Sequence, residues 1–154
     1  MDGRWRDVGV LAGALFAVNV VARLIIRLWF DGDDTVADRV TLAMFVVIGL
    51  ILVVVAFRWG RRRPLAAWAG DVTVAVLVAM ALTVLVGPLL VGYNPFADGA
   101  GTFFAQIWLY LLASGAGVLI GYLVLTALGL DHRSQQLKRY AEVKAAKPRR
   151  VVRR

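Results

Sequence analysis

Four residues with chemistry to offer lie inside apolar surroundings: Asn19, Arg23, Arg27 and Gln106. A guanidinium in a bilayer is disfavoured by roughly 2.5–3.5 kcal/mol even on lenient insertion scales, so it needs a route to the headgroups, a partner or a task. Asn19, Arg23, Arg27 and Asp31 follow one another at four-residue steps and are neighbours on one helix surface. The chemistry such a set supports is recognition of an anionic group, a lipid phosphate or the carboxylate of another subunit. The bland expectation for Arg27 is a side chain that reaches the headgroups and pairs with Asp31, Asp33 or Asp34. Arg23 lies deeper, so the same reach serves it less well. Gln106, beside Trp108 and Tyr110, can complete a polar pocket with Asn19 and Arg23, although an ordinary aromatic belt is the simpler expectation for the rings.

Other reactive residue types are scarce. His132 is the single histidine, and Ser114 and Ser134 have no base beside them in sequence. Cysteine is absent, which removes thiolate catalysis, disulfides and thiolate metal sites. No glycine-rich phosphate loop follows a strand pattern. The sequence therefore predicts no enzyme, no cofactor and no metal. Asp71 is the one acid within an apolar run, and its expected partners are Arg4, Arg6, Arg58 or the Arg61–Arg63 cluster. A proton relay would need a second embedded acid across the membrane, and the runs contain none.

The elements that must position these residues are four apolar runs, Val8–Phe30, Val40–Phe57, Leu65–Gly92 and Phe103–Leu130. Hydrophobic residues make up 60% of the chain, well above the roughly 45–50% of soluble domains, and mean hydropathy is +0.74. The runs do not alternate as strands of a membrane barrel would. Each approaches or exceeds the span of a hydrocarbon core about 30 Å thick, at ~1.5 Å per helical residue. The expectation is an all-α integral membrane four-helix up-down bundle, with helices over about 8–30, 40–57, 65–92 and 103–130. The first run is too long for a signal-peptide core and has no small-residue cleavage site, so it is read as an uncleaved helix. No internal repeat of the inverted transporter kind is visible.

Charge sets the expected orientation. Of the 18 Lys and Arg residues, Arg23 and Arg27 lie in the first run and Arg39 follows it. All the others fall before run one, between runs two and three, or after run four. The positive-inside rule then places both termini in the cytoplasm. Gly60 and Pro64 bracket the basic second loop and are expected to stop helix two. Trp5, Trp59 and Trp68 are expected to flank the inner face, and Trp29, Tyr93 and Phe96 the outer one. Arginine in place of lysine, which occurs only at Lys138, Lys144 and Lys147, suggests a GC-rich bacterial genome and hence the bacterial plasma (inner) membrane as the location.

Rows of small residues supply the expected helix contacts: Gly9 and Gly13 on run one, Ala113, Gly117 and Gly121 on run four, and a four-residue ladder from Ala67 to Gly87 on run three. Gly9 lies two heptads from Arg23 and Gly13 two heptads from Arg27, so each pair would share a seam. Residues 131–154 form a basic tail, expected to continue helix four until Pro148 and then to be disordered. Arg61, Arg62, Arg63, Arg149, Arg150, Arg153 and Arg154 are the expected contacts to anionic headgroups at the cytoplasmic face. Partners are membrane lipid, and other membrane subunits or further copies of the chain. Nucleic acid is not expected, since no aromatic platform or binding motif accompanies the charge. The leading functional expectation is a non-catalytic accessory, assembly or scaffold subunit of a membrane complex. Alternatives are a homo-oligomeric small pore or carrier with an anion-selective path near Arg23, and, last, an intramembrane lipid-acting enzyme.

Overall fold

The computed structural model describes residues 3–29, 34–90, 92, 94, 96 and 99–146. Four helices are long and apolar enough to cross a membrane: α1 (Gly3–Trp29), α2 (Asp34–Arg62), α3 (Leu65–Leu90) and α4 (Gly99–Ala127). A fifth, α5 (His132–Ala146), follows. Helices α1 and α2 run further than their apolar stretches because Arg4, Arg6, Arg39, Arg58, Arg61 and Arg62 are themselves helical. Arginine is a good helix former, so the end of an apolar run marks a change of environment rather than the end of a helix. Gly60 accordingly does not stop α2. It is buried within it, where an added Cβ would lie 2.6 Å from Leu125 Cδ2 and 3.4 Å from Trp68 Nε1.

The longest helix contact joins α2 and α4, and glycine makes it possible. A Cβ at Gly117 would stand 2.5 Å from the Gly49 carbonyl oxygen, and one at Gly121 2.5 Å from that of Val53. Both distances are closer than any side chain can approach, so the two backbones touch directly. Ala113 adds the next step, its carbonyl oxygen 3.6 Å from a Cβ placed on Gly49. In a bilayer, lipid tails are as apolar as leucine, so this close van der Waals packing replaces the hydrophobic effect as the adhesive. The matching pairs Gly49–Gly117 and Val53–Gly121 also show that α2 and α4 run in the same direction.

Gly9 and Gly13 behave differently. A Cβ at either would meet nothing within 4 Å, and both face outward. The buried stripe of α1 is Val8, Leu11, Ala12, Leu15, Asn19 and Ala22. Of the two expected glycine–arginine seams, Gly13 and Arg27 both face outward, whereas Arg23 turns inward away from Gly9, a straight α-helix drifting about 40° over two heptads. Around the bundle the outward faces stay apolar, as at Val10, Leu42, Val54 and Leu112, which is the reverse of a water-soluble surface.

At one end, Asp71 is buried at 3% exposure and ties α3 to α1 and to the bend that follows α2. Its Oδ1 accepts from Arg4 Nε at 2.7 Å, its Oδ2 lies 3.6 Å from Arg63 Nη1, and Arg63 Nη2 donates to Asp7 Oδ2 at 3.1 Å. Trp68, expected at the interface, is instead fully buried at this end, against Tyr122 and over Gly60. Position near a span's end does not tell which side of the helix a ring occupies.

Nor does α5 continue α4. Gly129 takes φ +62° and closes α4 with paired bonds, Leu130 N–H to Leu125 O at 3.1 Å and Gly129 N–H to Thr126 O at 2.9 Å, the Schellman arrangement. Asp131 then caps α5, its Oδ2 accepting from the Ser134 N–H at 3.1 Å. Gln135 Nε2 and Lys138 Nζ donate back to Leu130 O (2.7 Å) and Gly129 O (3.4 Å).

Two outcomes are expected. Gly117→Val or Gly121→Val forces α2 from α4 and lowers stability by about 1–3 kcal/mol in detergent unfolding, whereas Gly9→Val and Gly13→Val leave single-chain stability within about 0.5 kcal/mol. Asp71→Asn weakens the charged end by about 1–3 kcal/mol, less than a fully buried pair would lose, because Arg4 and Arg63 remain open to water. Arg4→Gln has a smaller effect, since Arg63 still faces the carboxylate.

Candidate functional site

The polar site lies at the opposite end of the bundle from Asp71, about 29 Å along α1 from Arg4 to Arg23 at 1.5 Å per residue. It begins with Asn19, buried at 2% exposure on the inner stripe of α1. Its amide uses both ends: Nδ2 donates to Met44 Sδ on α2 at 3.0 Å, and Oδ1 accepts from Arg23 Nε at 3.1 Å. The four-residue spacing aligns Asn19 under Arg23, and the bond turns the guanidinium inward rather than toward the headgroups. Arg23 is half-buried, and among the described residues no carboxylate pairs with it.

A distortion of α3 makes room for this pair. Residues Leu82–Val86 form a π-turn in which Gly87 donates its N–H to Leu82 O, five residues back. Pro88 supplies the cause: it has no N–H to give, and its ring clashes with the carbonyl four residues earlier, so the preceding turn widens. The wider turn offsets the 40° advance of each four-residue step in an α-helix, keeping Ala79, Thr83 and Gly87 on the buried face. Gly87 then sits against the site. A Cβ there would be 2.9 Å from Asn19 Oδ1 and 3.0 Å from Arg23 Nε.

Asn19, Arg23, Thr41, Thr83, Gln106 and Tyr110 line one partly open cavity of about 150 Å³, walled by apolar neighbours such as Ala22, Phe45 and Val84. Tyr110 and Thr83 are buried at 1% and 5% exposure. Their hydroxyls face each other across α3 and α4, yet neither makes a hydrogen bond of good geometry among the described residues. Ser114, buried on α4 away from this cavity, is likewise without a hydrogen bond among the described residues. Thr41, Thr73 and Thr126 all return their hydroxyls to the carbonyl four residues back, the usual resolution in an apolar helix.

Of the residues singled out from sequence, Asn19, Arg23 and Gln106 come together. Arg27 does not join them; it is exposed near Gly92, at 3.8 Å from a Cβ placed there, and Asp31 and Asp33 lie outside the described residues. Trp108 points outward at 69% exposure while Tyr110 turns in, so the two rings separate into belt and site. At the other end, Arg61 and Arg62 close α2, Arg62 exposed beside the Arg6–Arg58 groove, but Arg63 is engaged by Asp7 and Asp71. Arg149, Arg150, Arg153 and Arg154 lie outside the described residues. Thr83 and Gly87 are site residues that sequence reasoning placed only in a packing ladder; the glycine–proline pair at 87–88 was the available signal.

Among the described residues no group of His, Cys, Asp or Glu could hold a metal ion. What the arrangement can do is donate hydrogen bonds and offer one positive charge. Compared with known proteins, the chain matches no family model, and no curated protein or solved structure shows significant similarity to it.

Gly87→Val should push Arg23 off Asn19 and lower stability by about 1–3 kcal/mol, with Gly87→Ala intermediate. Thermal unfolding of the two variants in one detergent, beside Asn19→Leu, checks whether the glycine and the asparagine act through the same contact.

Proposed function

We propose that this protein is a multi-pass protein of a bacterial plasma membrane that serves as a non-catalytic accessory, assembly or scaffold subunit of a larger membrane complex. In this reading it is an up-down bundle with both termini in the cytoplasm, as the distribution of Lys and Arg favours. One observation carries the subunit role. The small-residue row of α1, Gly9, Gly13 and Ala17, faces outward with nothing packed on either glycine, while the corresponding row of α4 is fully used against α2. Small outward residues let a neighbouring transmembrane helix approach closely, and α1 offers such a seat without disturbing the bundle. The arginines at the ends of α1 and α2, Arg6, Arg58 and Arg62 beside the groove they share, are placed for anionic headgroups around that contact.

A second reading, a homo-oligomeric pore or carrier, has the cavity at Arg23 in its favour. Against a path through one chain stand Leu15, Ile48 and Leu52, all fully buried between the two polar ends. A conducting path would have to run between copies.

Capture of the tagged protein from native membranes in mild detergent or lipid discs separates these readings. The expected result is a stoichiometric foreign membrane subunit, retained by wild type and lost in Gly9→Ile/Gly13→Ile. A pure homo-oligomer that conducts anions in liposomes, and stops on Arg23→Ala, would replace the subunit reading with the pore. The natural absence of cysteine allows a direct topology check. A membrane-impermeant maleimide should label Asp38→Cys in intact cells and leave Arg61→Cys untouched; the reverse pattern inverts the bundle.

A further inference from the structure

We propose that the cavity between Arg23, Thr83, Gln106 and Tyr110 binds a singly charged oxyanion, a phosphodiester or a carboxylate, through the Arg23 guanidinium and the Thr83 and Tyr110 hydroxyls. The inference goes beyond the subunit role and does not rest on it.

The donor inventory leads to the ligand. Asn19 engages one end of its amide with Met44 Sδ and the other with Arg23 Nε, so it serves to position the guanidinium. The two Nη groups of Arg23 carry four further N–H donors with no partner among the described residues. Thr83 Oγ1 and Tyr110 Oη are buried, face each other without a hydrogen bond of good geometry, and line the same space. An unpaired buried hydroxyl is destabilising, and an unpaired buried charge more so. Two such hydroxyls and a cation around one cavity are each satisfied by the same kind of guest, one that accepts hydrogen bonds and carries a negative charge. A cationic guest is excluded by Arg23, and among the described residues no acidic side chain lines the cavity to offset it. A neutral guest would leave the guanidinium uncompensated.

Shape and size narrow the class. The guanidinium is a planar fork that matches two oxygens of one carboxylate or phosphate group and fits a spherical halide less well. A cavity of about 150 Å³ admits such a group, but lies below the roughly 300 Å³ where pockets for larger organic ligands begin. Gly87 belongs to the design as well, because any side chain there would occupy the position from which Arg23 is held. The same oxyanion chemistry has two sources, a lipid headgroup entering from the bilayer or a small free anion.

The test uses the full chain, stripped of lipid in a neutral maltoside detergent. The probes are phosphatidylglycerol, sodium acetate and inorganic phosphate, each read by thermal unfolding, with native mass spectrometry counting retained lipid. Wild type should be stabilised by at least one probe, and Arg23→Gln should weaken that binding by about tenfold or more. Thr83→Val and Tyr110→Phe, which keep shape and remove only the hydroxyl, should each weaken it by about threefold to tenfold. Stabilisation by phosphatidylglycerol alone assigns a headgroup; stabilisation by acetate or phosphate without lipid assigns a free anion. The proposal is overturned if no probe distinguishes wild type from Arg23→Gln. It is equally overturned if Thr83→Val/Tyr110→Phe binds every probe as wild type does, and that double variant decides the matter should Arg23→Gln fail to fold. Gly9→Ile/Gly13→Ile should bind the probe unchanged, so loss of a partner subunit and loss of the anion are separately visible.

Discussion

Direct backbone contact between α2 and α4 is the constraint on which the remainder of the bundle depends. Water gives a soluble helix a reason to bury its apolar face; a hydrocarbon surrounding gives almost none. The helices can stay together only where contact is closer with each other than with lipid. Gly117 and Gly121 provide that closeness by laying α4 against the carbonyls of Gly49 and Val53. With this pair fixed, α1 packs on α2 and α3, and the large buried groups Leu15, Ile48, Leu52 and Trp68 fill the interior. A bulky residue at Gly117 would therefore be felt by helices it never touches.

The two ends of the bundle treat buried charge in opposite ways. Around Asp71, a carboxylate meets two arginines, one of which also meets Asp7, so positive and negative groups alternate through the cluster. That end is a closed electrostatic unit, and its role is to hold α1, α3 and the bend that follows α2 in register. Around Arg23, the neighbours are two amides, a thioether, three hydroxyls and a glycine. They orient the cation without neutralising it. A side chain positioned by Asn19, and cleared by a π-turn and Gly87, is held without a carboxylate partner among the described residues.

Much of this was legible in the sequence, and the limits have physical causes. Apolar run length depends only on hydropathy, so the four spans could be read directly. Their ends could not, because arginine is compatible with both helix and loop. Polar residues stand out in apolar runs, so Asn19, Arg23 and Gln106 were visible, as was Asp71 with its basic partners. The sequence cannot say which face of an apolar helix turns inward when every face is apolar. The expectations for Gly9 and Gly13 as packing residues, Trp68 as an interfacial ring and Gly60 as a helix stop follow from this, and nothing in the sequence marks Gly49, although Gly49 and Gly60 receive α4 and Trp68. Thr83 was hidden for the same reason, and its role emerges only because the π-turn before Pro88 changes the helix phase.

The break at Gly129 determines geometry well beyond one turn. Bonds from Gln135 and Lys138 back to the end of α4, with the Asp131 cap, set the angle of departure from both sides. Helix α5 is then a ruler about 22 Å long, 15 residues at 1.5 Å each, with its zero mark on the membrane-facing bundle. Whatever meets Lys144, in the last turn of α5, does so at a set distance from the bundle. A second protein or a patch of headgroups would have to match that distance as well as the charge.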